Sequence, residues 1–152
     1  MLKTFVEKKH YKFAKSAVDW REAIRMSCES LELTDVVDET YKEEIIACVE
    51  KHGPYIVIMP NVAMPHSTEN AKGVKGTAIG FMKLEEPVSF DENDPEKEAC
   101  LFFTLASCNA DTHMDNIAKL SEMLMNDQLV EELGKATGPE DLLRLHEKYL
   151  EK

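Results

Sequence analysis

The stretch Cys100–Ala106, with the sequence CLFFTLA, decides the fold of this chain. Its side chains are apolar at every position except Thr104, so polar and apolar residues do not alternate and neither face of the extended segment is polar. A strand that is apolar on both faces is typical of a sheet covered on both sides. The stretch Thr77–Leu84, with the sequence TAIGFMKL, has the same character and predicts a second strand of this kind.

Helices are predicted on either side of these strands. Asp19 is a predicted N-cap, and Glu22 three positions later completes a capping box. Gly53 is suited to cap the C-terminus of the next helix. Thr112 and Asp127 are predicted N-caps of two later helices. The predicted helices span 20–33, 39–52, 113–125, 128–133 and 139–149, and short extended segments are predicted at 55–59 and 62–64.

The order of these elements predicts an α/β fold. Helices before and after the strands can cover both faces of one sheet. We expect a single-domain α/β/α sandwich with a mixed sheet of four or five strands, because some connections are too short for parallel crossovers. The domain is expected to span residues 1–152, with 1–18 as an N-terminal helix or arm. The acidic segment 85–98 is expected to be a solvated loop, with at most a short strand near 88–90.

The composition restricts what the chain can bind. Its 18 basic and 29 acidic residues give a net charge of −11, which disfavours nucleic acid and anionic membrane surfaces. An acidic surface instead favours encounter with a basic protein face. The longest apolar stretches fall far short of the roughly 20 residues that span a bilayer, and the N-terminal apolar run is too short for a signal peptide. We therefore expect a cytoplasmic protein without direct membrane insertion.

The four cysteines form no CxxC pair. The sequence therefore predicts neither a disulfide framework nor a zinc ribbon. Reduced thiols in the core of a cytoplasmic protein are the expectation. The residues are Cys28, Cys48, Cys100 and Cys108.

Two of the five histidines lie where chemistry is expected. His66 follows Ala63-Met64-Pro65, and the proline keeps the backbone extended, so the imidazole projects from a stiff strand-to-loop junction. A structural role is also common for such a histidine. His113 follows the buried strand at a predicted helix start, where the helix dipole favours an anion, but the position equally suits a surface histidine. The other three are expected to be solvated: His10, His52 and His146.

Two other chemistries are compatible with these residues. A metal-dependent hydrolase would use His66, His113, Asp111 and Asp115, although no HxxxH or HxxE pair stands on a predicted helix. Nucleophilic catalysis by Cys108 with His113 would need an electropositive setting, which the neighbouring aspartates do not provide.

Four segments carry a resemblance to a known family. They are HGPYIVI at 52–58, AMPH at 63–66, DENDP at 91–95 and NADTH at 109–113. Together they resemble the enzyme IIA components of the sugar phosphotransferase system, in the mannitol/fructose branch and most closely the L-ascorbate-specific type. The order of AMPH and a second histidine 47 positions later is more specific than either motif alone. The resemblance extends from about residue 20 to residue 149.

The resemblance implies roles for two histidines. His66 matches the phosphorylated histidine, which reacts through Nε2, and His113 matches the histidine that supports it; no cofactor or metal ion is implied. Ser67 stands where the family usually has glycine or alanine, and Thr68-Glu69 stands where ascorbate-type members have a basic residue. The hydroxyls of Ser67 and Thr68 are further candidate donors to a phosphoryl group. The pair Glu50-Lys51 stands where mannitol-type members use an arginine.

The implied function is that of a phosphocarrier. Phospho-HPr would phosphorylate His66, and the chain would pass the group to the cysteine of an enzyme IIB. That enzyme IIB phosphorylates the sugar, L-ascorbate or a related compound, as the membrane protein IIC imports it. A regulatory enzyme IIA-like phosphoprotein that is not coupled to transport is the alternative, and the sequence leaves it open.

Overall fold

A computed structural model describes residues 1–67 and 72–150. The strands are β1 Tyr11–Ala14, β2 Val57–Met59, β3 Asn61–Ala63, β4 Ala78–Ser89 and β5 Glu98–Ala106. The helices are α1 Leu2–Lys8, α2 Trp20–Leu33, α3 Glu39–His52, α4 Ala110–Leu124, α5 Asp127–Leu133 and α6 Pro139–Tyr149, with a 3-10 turn at Pro95–Lys97. Within these described residues, no helix is both long and apolar enough to cross a membrane.

The five strands form one mixed sheet in the order β1-β4-β5-β3-β2. The two long strands β4 and β5 pair antiparallel at its centre. β1 joins β4 and β3 joins β5, both in parallel, and β2 completes the edge antiparallel to β3. Every residue of β5 after Glu98 is buried, so the central strand is covered on both faces as its sequence predicts.

Neighbouring residues of β4 show that helices cover both faces of the sheet. Gly80 lies so close to α2 that an added Cβ would be 3.1 Å from Leu31 Cγ. The next residue, Phe81, points to the opposite face. Its ring centroid is 5.8 Å from that of Phe5 in α1 and 5.4 Å from that of Phe103 in β5. The predicted α/β arrangement with helices on both faces is therefore confirmed.

The N-terminal segment belongs to the core and is not an arm. Leu2 and Phe5 of α1 are buried. β1 forms an edge strand, with Tyr11 opposite Phe81 in the parallel ladder. The sequence did not indicate this strand because all four of its side chains are half-buried, which leaves no alternation of polar and apolar residues.

The predicted loop at 85–98 is partly strand, since β4 continues to Ser89. The pairing with β5 shifts register between Lys83 and Val88, and the residues between Leu84 and Val88 are exposed. An irregularity of this kind accommodates Pro87, which has no backbone N–H to donate. The proline and the two glutamates before it therefore mark a bulge within one strand, not its end.

Two helices begin earlier than predicted. Asp19 caps α2, as its capping box indicates. The cap of α4, however, is Asn109, whose side chain accepts a hydrogen bond from Thr112 N at 3.1 Å. Asn126 takes the same role in α5, in place of Asp127. In both cases an asparagine precedes the predicted cap, and asparagine is among the residues best suited to cap a helix.

Removing the cap of α4 should destabilise the protein. We expect Asn109→Ala to lower the free energy of unfolding by about 1 kcal/mol, the usual cost of losing an N-cap side chain. Thr112→Ala should have little effect, because the threonine lies inside the helix. Urea unfolding of both variants checks this, and a larger loss for Thr112→Ala would contradict the assignment of the cap.

Two glycines have positive φ, and comparing alanine substitutions at the two positions distinguishes the effect of backbone strain from that of a steric clash. Gly53, with φ of 83°, has no atom within 4 Å of an added Cβ. Gly73, with φ of 89°, would place a Cβ in steric clash with Asp38 Oδ1 and 2.8 Å from Tyr41 N. Gly73→Ala should therefore lower the free energy of unfolding by at least about 1 kcal/mol more than Gly53→Ala, in which strain acts alone. Equal losses in urea unfolding would show that α3 moves away without cost.

Candidate active site

His66 lies at the end of a strand that is extended by one further hydrogen bond. β3 ends at Ala63, which pairs with Phe102 in β5. Beyond it, Leu105 N donates to Pro65 O at 2.9 Å, so the chain continues alongside β5 for two more residues. The imidazole therefore projects beside the C-terminal end of the central strand, as the position of Pro65 predicts.

The neutral His66 ring is held in one tautomer. Its Nδ1 lies 2.6 Å from the carbonyl oxygen of Met64. A carbonyl oxygen can only accept, so Nδ1 must carry the proton of this hydrogen bond. In the neutral imidazole, Nε2 then keeps its lone pair. The half-buried ring thus presents an unprotonated nitrogen in a fixed orientation.

Tyr55 contacts both the backbone and the ring of His66. Its hydroxyl donates to His66 O at 2.6 Å. The two ring centroids are 5.1 Å apart and the ring planes meet at 85°, an edge-to-face contact. Burial, with a smaller contribution from Cys48, raises the pKa of Tyr55 to about 12, so its hydroxyl remains a donor at neutral pH.

Tyr41 ties the residue after His66 to the central strand. The Tyr41 hydroxyl donates to Leu105 O in a close hydrogen bond and accepts a longer one, at 3.4 Å, from Ser67 N. Burial raises the pKa of Tyr41, which keeps the hydroxyl protonated. The Ser67 hydroxyl lies 3.6 Å from Cys48 Sγ. Thr68, the other candidate donor, lies outside the described residues.

Helix α4 places His113 at the same edge of the sheet as His66. Because β3 and β5 are parallel, the segments that follow them leave the sheet at one edge. His113 is the fourth residue of α4 and is half-buried. Its ring makes no hydrogen bond or ring contact with that of His66, although both lie in the described part of the chain. The topology therefore places the two histidines at one edge, without direct contact.

The backbone N–H groups of Thr112 and His113 are engaged at the start of α4. Thr112 N donates to the Asn109 side chain, and His113 N donates to Asn109 O at 3.0 Å. The helix begins three residues earlier than the predicted start at residue 113. The free N–H groups of the first turn belong to Ala110 and Asp111 instead.

Several expectations for other polar residues are corrected. His10 is only 5% exposed, and Lys3 N donates to His146 Nδ1 at 3.3 Å, so of the three histidines expected to be solvated only His52 is exposed. Among the cysteines, Cys28 and Cys100 are buried as predicted, whereas two are not core thiols. Those two are Cys48, which is half-buried, and Cys108, which is exposed.

The residues proposed for the two other chemistries are not assembled into sites. Among residues 1–67 and 72–150, no group of three or more His, Cys, Asp or Glu side chains is arranged to hold a metal ion. Cys108 Sγ lies 3.6 Å from Thr77 Oγ and 3.8 Å from Lys75 O. Neither neighbour is a general base for the thiol, and His113 is not among its partners.

Comparison with known proteins identifies the family. Residues 4–149 match the model of the family described as phosphoenolpyruvate-dependent sugar phosphotransferase system, EIIA 2. The chain belongs to this family. This confirms the resemblance of the four sequence segments, and the match covers nearly the whole chain.

Individual members of the family show the same relationship. The chain is similar to the ascorbate-specific PTS system EIIA component of Escherichia coli K12, with 30% identity over 93% of this chain and 92% of that protein. It is also similar to the mannitol-specific cryptic phosphotransferase enzyme IIA component of the same organism, with 35% identity over 84% of each chain.

Solved structures confirm the mannitol-type fold. The crystal structure of IIA mannitol from Escherichia coli matches with a TM-score of 0.75 and 26% identity, covering 90% of this chain and 96% of the other. Enzyme IIAMTL in complex with phosphorylated enzyme IIBMTL, also from Escherichia coli, has the same fold, with a TM-score of 0.72 and 24% identity over 91% of this chain and 95% of the other.

The two tyrosines were not predicted as parts of the site. Tyr41 lies on the apolar stripe of α3, where its spacing indicates only a core residue. Tyr55 lies in an apolar extended run. The signal that could have found them is a hydroxyl at a buried position, because a buried hydroxyl almost always has a hydrogen-bond partner.

Removing the Tyr55 hydroxyl should weaken the support of His66 without removing the ring contact. We expect Tyr55→Phe to lower the free energy of unfolding by about 1 kcal/mol, the net worth of one hydrogen bond. The ring-current shift of the His66 ring protons should persist. Tyr11→Phe is the matched control, because the Tyr11 hydroxyl has no hydrogen bond among the described residues. Equal stability of the two variants in urea would contradict the role of Tyr55.

Proposed function

We propose that this chain is a phosphocarrier that accepts a phosphoryl group from phospho-HPr on His66 and passes it to the cysteine of an enzyme IIB. The observation that carries the proposal is the 2.6 Å hydrogen bond between His66 Nδ1 and Met64 O, which leaves Nε2 free to attack. Membership of the family supports it, because the family is named for this phosphotransferase system.

The chemistry requires little more than positioning and charge compensation. The lone pair of His66 Nε2 attacks phosphorus and forms an N–P bond, while the bond between phosphorus and the donor breaks with its electron pair staying on the donor. Positive charge develops on the imidazole as the bond forms, and the Met64 carbonyl dipole stabilises it through Nδ1–H. In the second transfer, the enzyme IIB sulfur attacks phosphorus and the N–P bond breaks.

Two further side chains support the phosphohistidine in this proposal. His113, on the first turns of α4, donates a hydrogen bond to phosphoryl oxygens. Ser67 Oγ, whose neighbour at 3.6 Å is the thiol of Cys48, supplies a second donor. Charge-assisted hydrogen bonds to phosphoryl oxygens are stronger than those between neutral groups. The His113 ring has no competing hydrogen bond to His66, which leaves it available.

The expected partners are proteins with basic docking faces. The net charge of −11 favours encounter with such faces. The complex of enzyme IIAMTL with phosphorylated enzyme IIBMTL is a precedent for an enzyme IIB partner. We place the chain in the cytoplasm, upstream of the membrane protein IIC, and assign it to the uptake of L-ascorbate or a related sugar. One of the two relatives compared is named for ascorbate and the other for mannitol.

Intact-protein mass spectrometry tests the phosphoacceptor. After incubation with phosphoenolpyruvate, enzyme I and HPr, the wild type should gain one acid-labile phosphoryl group. His66→Ala should gain none, and His113→Ala should gain it at least about tenfold more slowly, as expected for loss of one donor to the developing charge. His52→Ala, which removes an exposed histidine near the site, is the control and should match the wild type.

The proposal fails if the wild type gains no phosphoryl group, or if the group persists in His66→Ala. Unfolding curves of each variant establish that loss of phosphorylation is not loss of folding. Adding an enzyme IIB named for ascorbate or one named for mannitol to the phosphorylated chain then tests the sugar. Faster transfer to the mannitol enzyme IIB would contradict the assignment to L-ascorbate.

A further inference from the structure

A polar cavity opens beside the sheet, on the face covered by α1. It has a volume of about 220 Å³ and lies between α1, the first residues of β4 and α4. It does not contain His66 or His113. Its polar wall combines cationic, imidazole, hydroxyl and amide groups. These belong to Thr4, Lys8, His10, Thr112, Asn116 and Lys119.

Most of the polar wall of the cavity is formed by one face of α1 and one face of α4. Thr112, Asn116 and Lys119 are spaced by four and three residues, so they project from the same side of α4. Thr4 and Lys8 are related in the same way on α1. The two lysines therefore approach the cavity from opposite helices. His113 is adjacent to Thr112 on α4 but is not among the described residues that line the cavity.

His10 is the buried polar group of this cavity. The residue is 95% buried, since only 5% of its surface is exposed, yet its ring has no hydrogen-bond partner among the described residues. Its backbone is fixed on both sides, because His10 N donates to Phe5 O at 2.8 Å and His10 O accepts from Phe81 N at 2.9 Å. Its ring nitrogens are not among the fully buried polar atoms of the described residues that lack a partner, so they remain accessible from the cavity and can bond to a ligand or water there.

The charge of the cavity is opposite to that of the chain. The chain carries −11, yet none of the described residues that line the cavity is Asp or Glu. Neither Lys8 nor Lys119 forms an ion pair with a described carboxylate, whereas ten such pairs lie elsewhere on the surface. Two unpaired ammonium groups beside one cavity attract an anion.

We propose that this cavity is a binding site for a small phosphate monoester. Lys8 and Lys119 would hold the dianion from two sides as point charges, and His10, Thr112 and Asn116 would donate hydrogen bonds to its oxygens. No arginine is among the described lining residues, and arginine is the side chain whose fork matches a planar carboxylate. The volume is below that of typical drug-sized sites, which suits a ligand of a few carbon atoms.

This proposal does not depend on phosphorylation of His66. Burial, and to a lesser degree the charge of Lys8, lower the pKa of His10, which favours the neutral form of the ring. A neutral imidazole has one N–H to donate and one nitrogen that accepts. The buried wall beside it includes Phe5 and Ile79, which offer an apolar surface to the carbon atoms of the ester.

NMR titration of the full chain with three probes at constant ionic strength tests the site. The probes are glycerol phosphate, inorganic phosphate and, as a carboxylate dianion, malonate. We expect saturable shifts at the His10 ring and at the amides of Thr77 and Thr112 with a phosphate probe. Tighter binding of glycerol phosphate would identify an ester as the ligand. The double variant Lys8→Gln/Lys119→Gln should bind the phosphate probes at least about tenfold more weakly than the wild type, because two positive charges are lost.

The double variant Lys97→Gln/Lys135→Gln is the matched control, since it removes the same charge away from the cavity. It should bind the phosphate probes as the wild type does. Three results would overturn the proposal: no saturable shift at millimolar phosphate, equal weakening in the two double variants, or malonate binding as tightly as phosphate. His10→Gln offers a further check, because it keeps a donor in place of the imidazole and should retain part of the affinity.

Discussion

The hydrogen bond from Leu105 N to Pro65 O is the constraint on which the candidate site depends. It keeps the chain beyond β3 alongside the fully buried strand β5. The other backbone group of the same residue, Leu105 O, accepts from Tyr41, which in turn accepts from Ser67 N. Both backbone groups of one buried residue thus fix the residues on either side of His66. The imidazole therefore projects beside the buried central strand of the sheet.

The topology of the sheet explains why the functional features gather at one edge. β3 and β5 are parallel and end there, whereas β4 is antiparallel to β5 and begins there, with Ala78 opposite Ala106. The segment after β3 carries His66, and the helix after β5 carries His113. The first residues of β4 line the cationic cavity. Within this acidic chain, the imidazoles of His10, His66 and His113 and the two unpaired lysines therefore lie at or beside the edge where the proposed phosphoryl transfer would occur.

The sequence predicted those parts of the fold that depend on local chemistry. The capping box at Asp19, the glycine after α3 and the doubly apolar β5 all gave elements that the structure confirms. Features set by tertiary pairing were missed, since β1 has no alternating pattern and β4 continues through Pro87 at a bulge. For the site, motif order led to His66 and His113, but the supporting hydroxyls of Tyr41 and Tyr55 looked like core residues. The burial of His10 could not be predicted from the sequence, because nearby lysines indicate a solvated segment.

The central claim is that Met64 O holds the proton on Nδ1 of His66 and leaves Nε2 free. The most direct measurement is a long-range ¹H–¹⁵N correlation spectrum of the imidazole nitrogens in the unphosphorylated protein near neutral pH. We predict that the neutral ring carries its proton on Nδ1 and leaves Nε2 unprotonated. After phosphorylation, coupling to ³¹P should appear at Nε2. A ring that carries its proton on Nε2, or phosphorus coupling at Nδ1, would contradict the account.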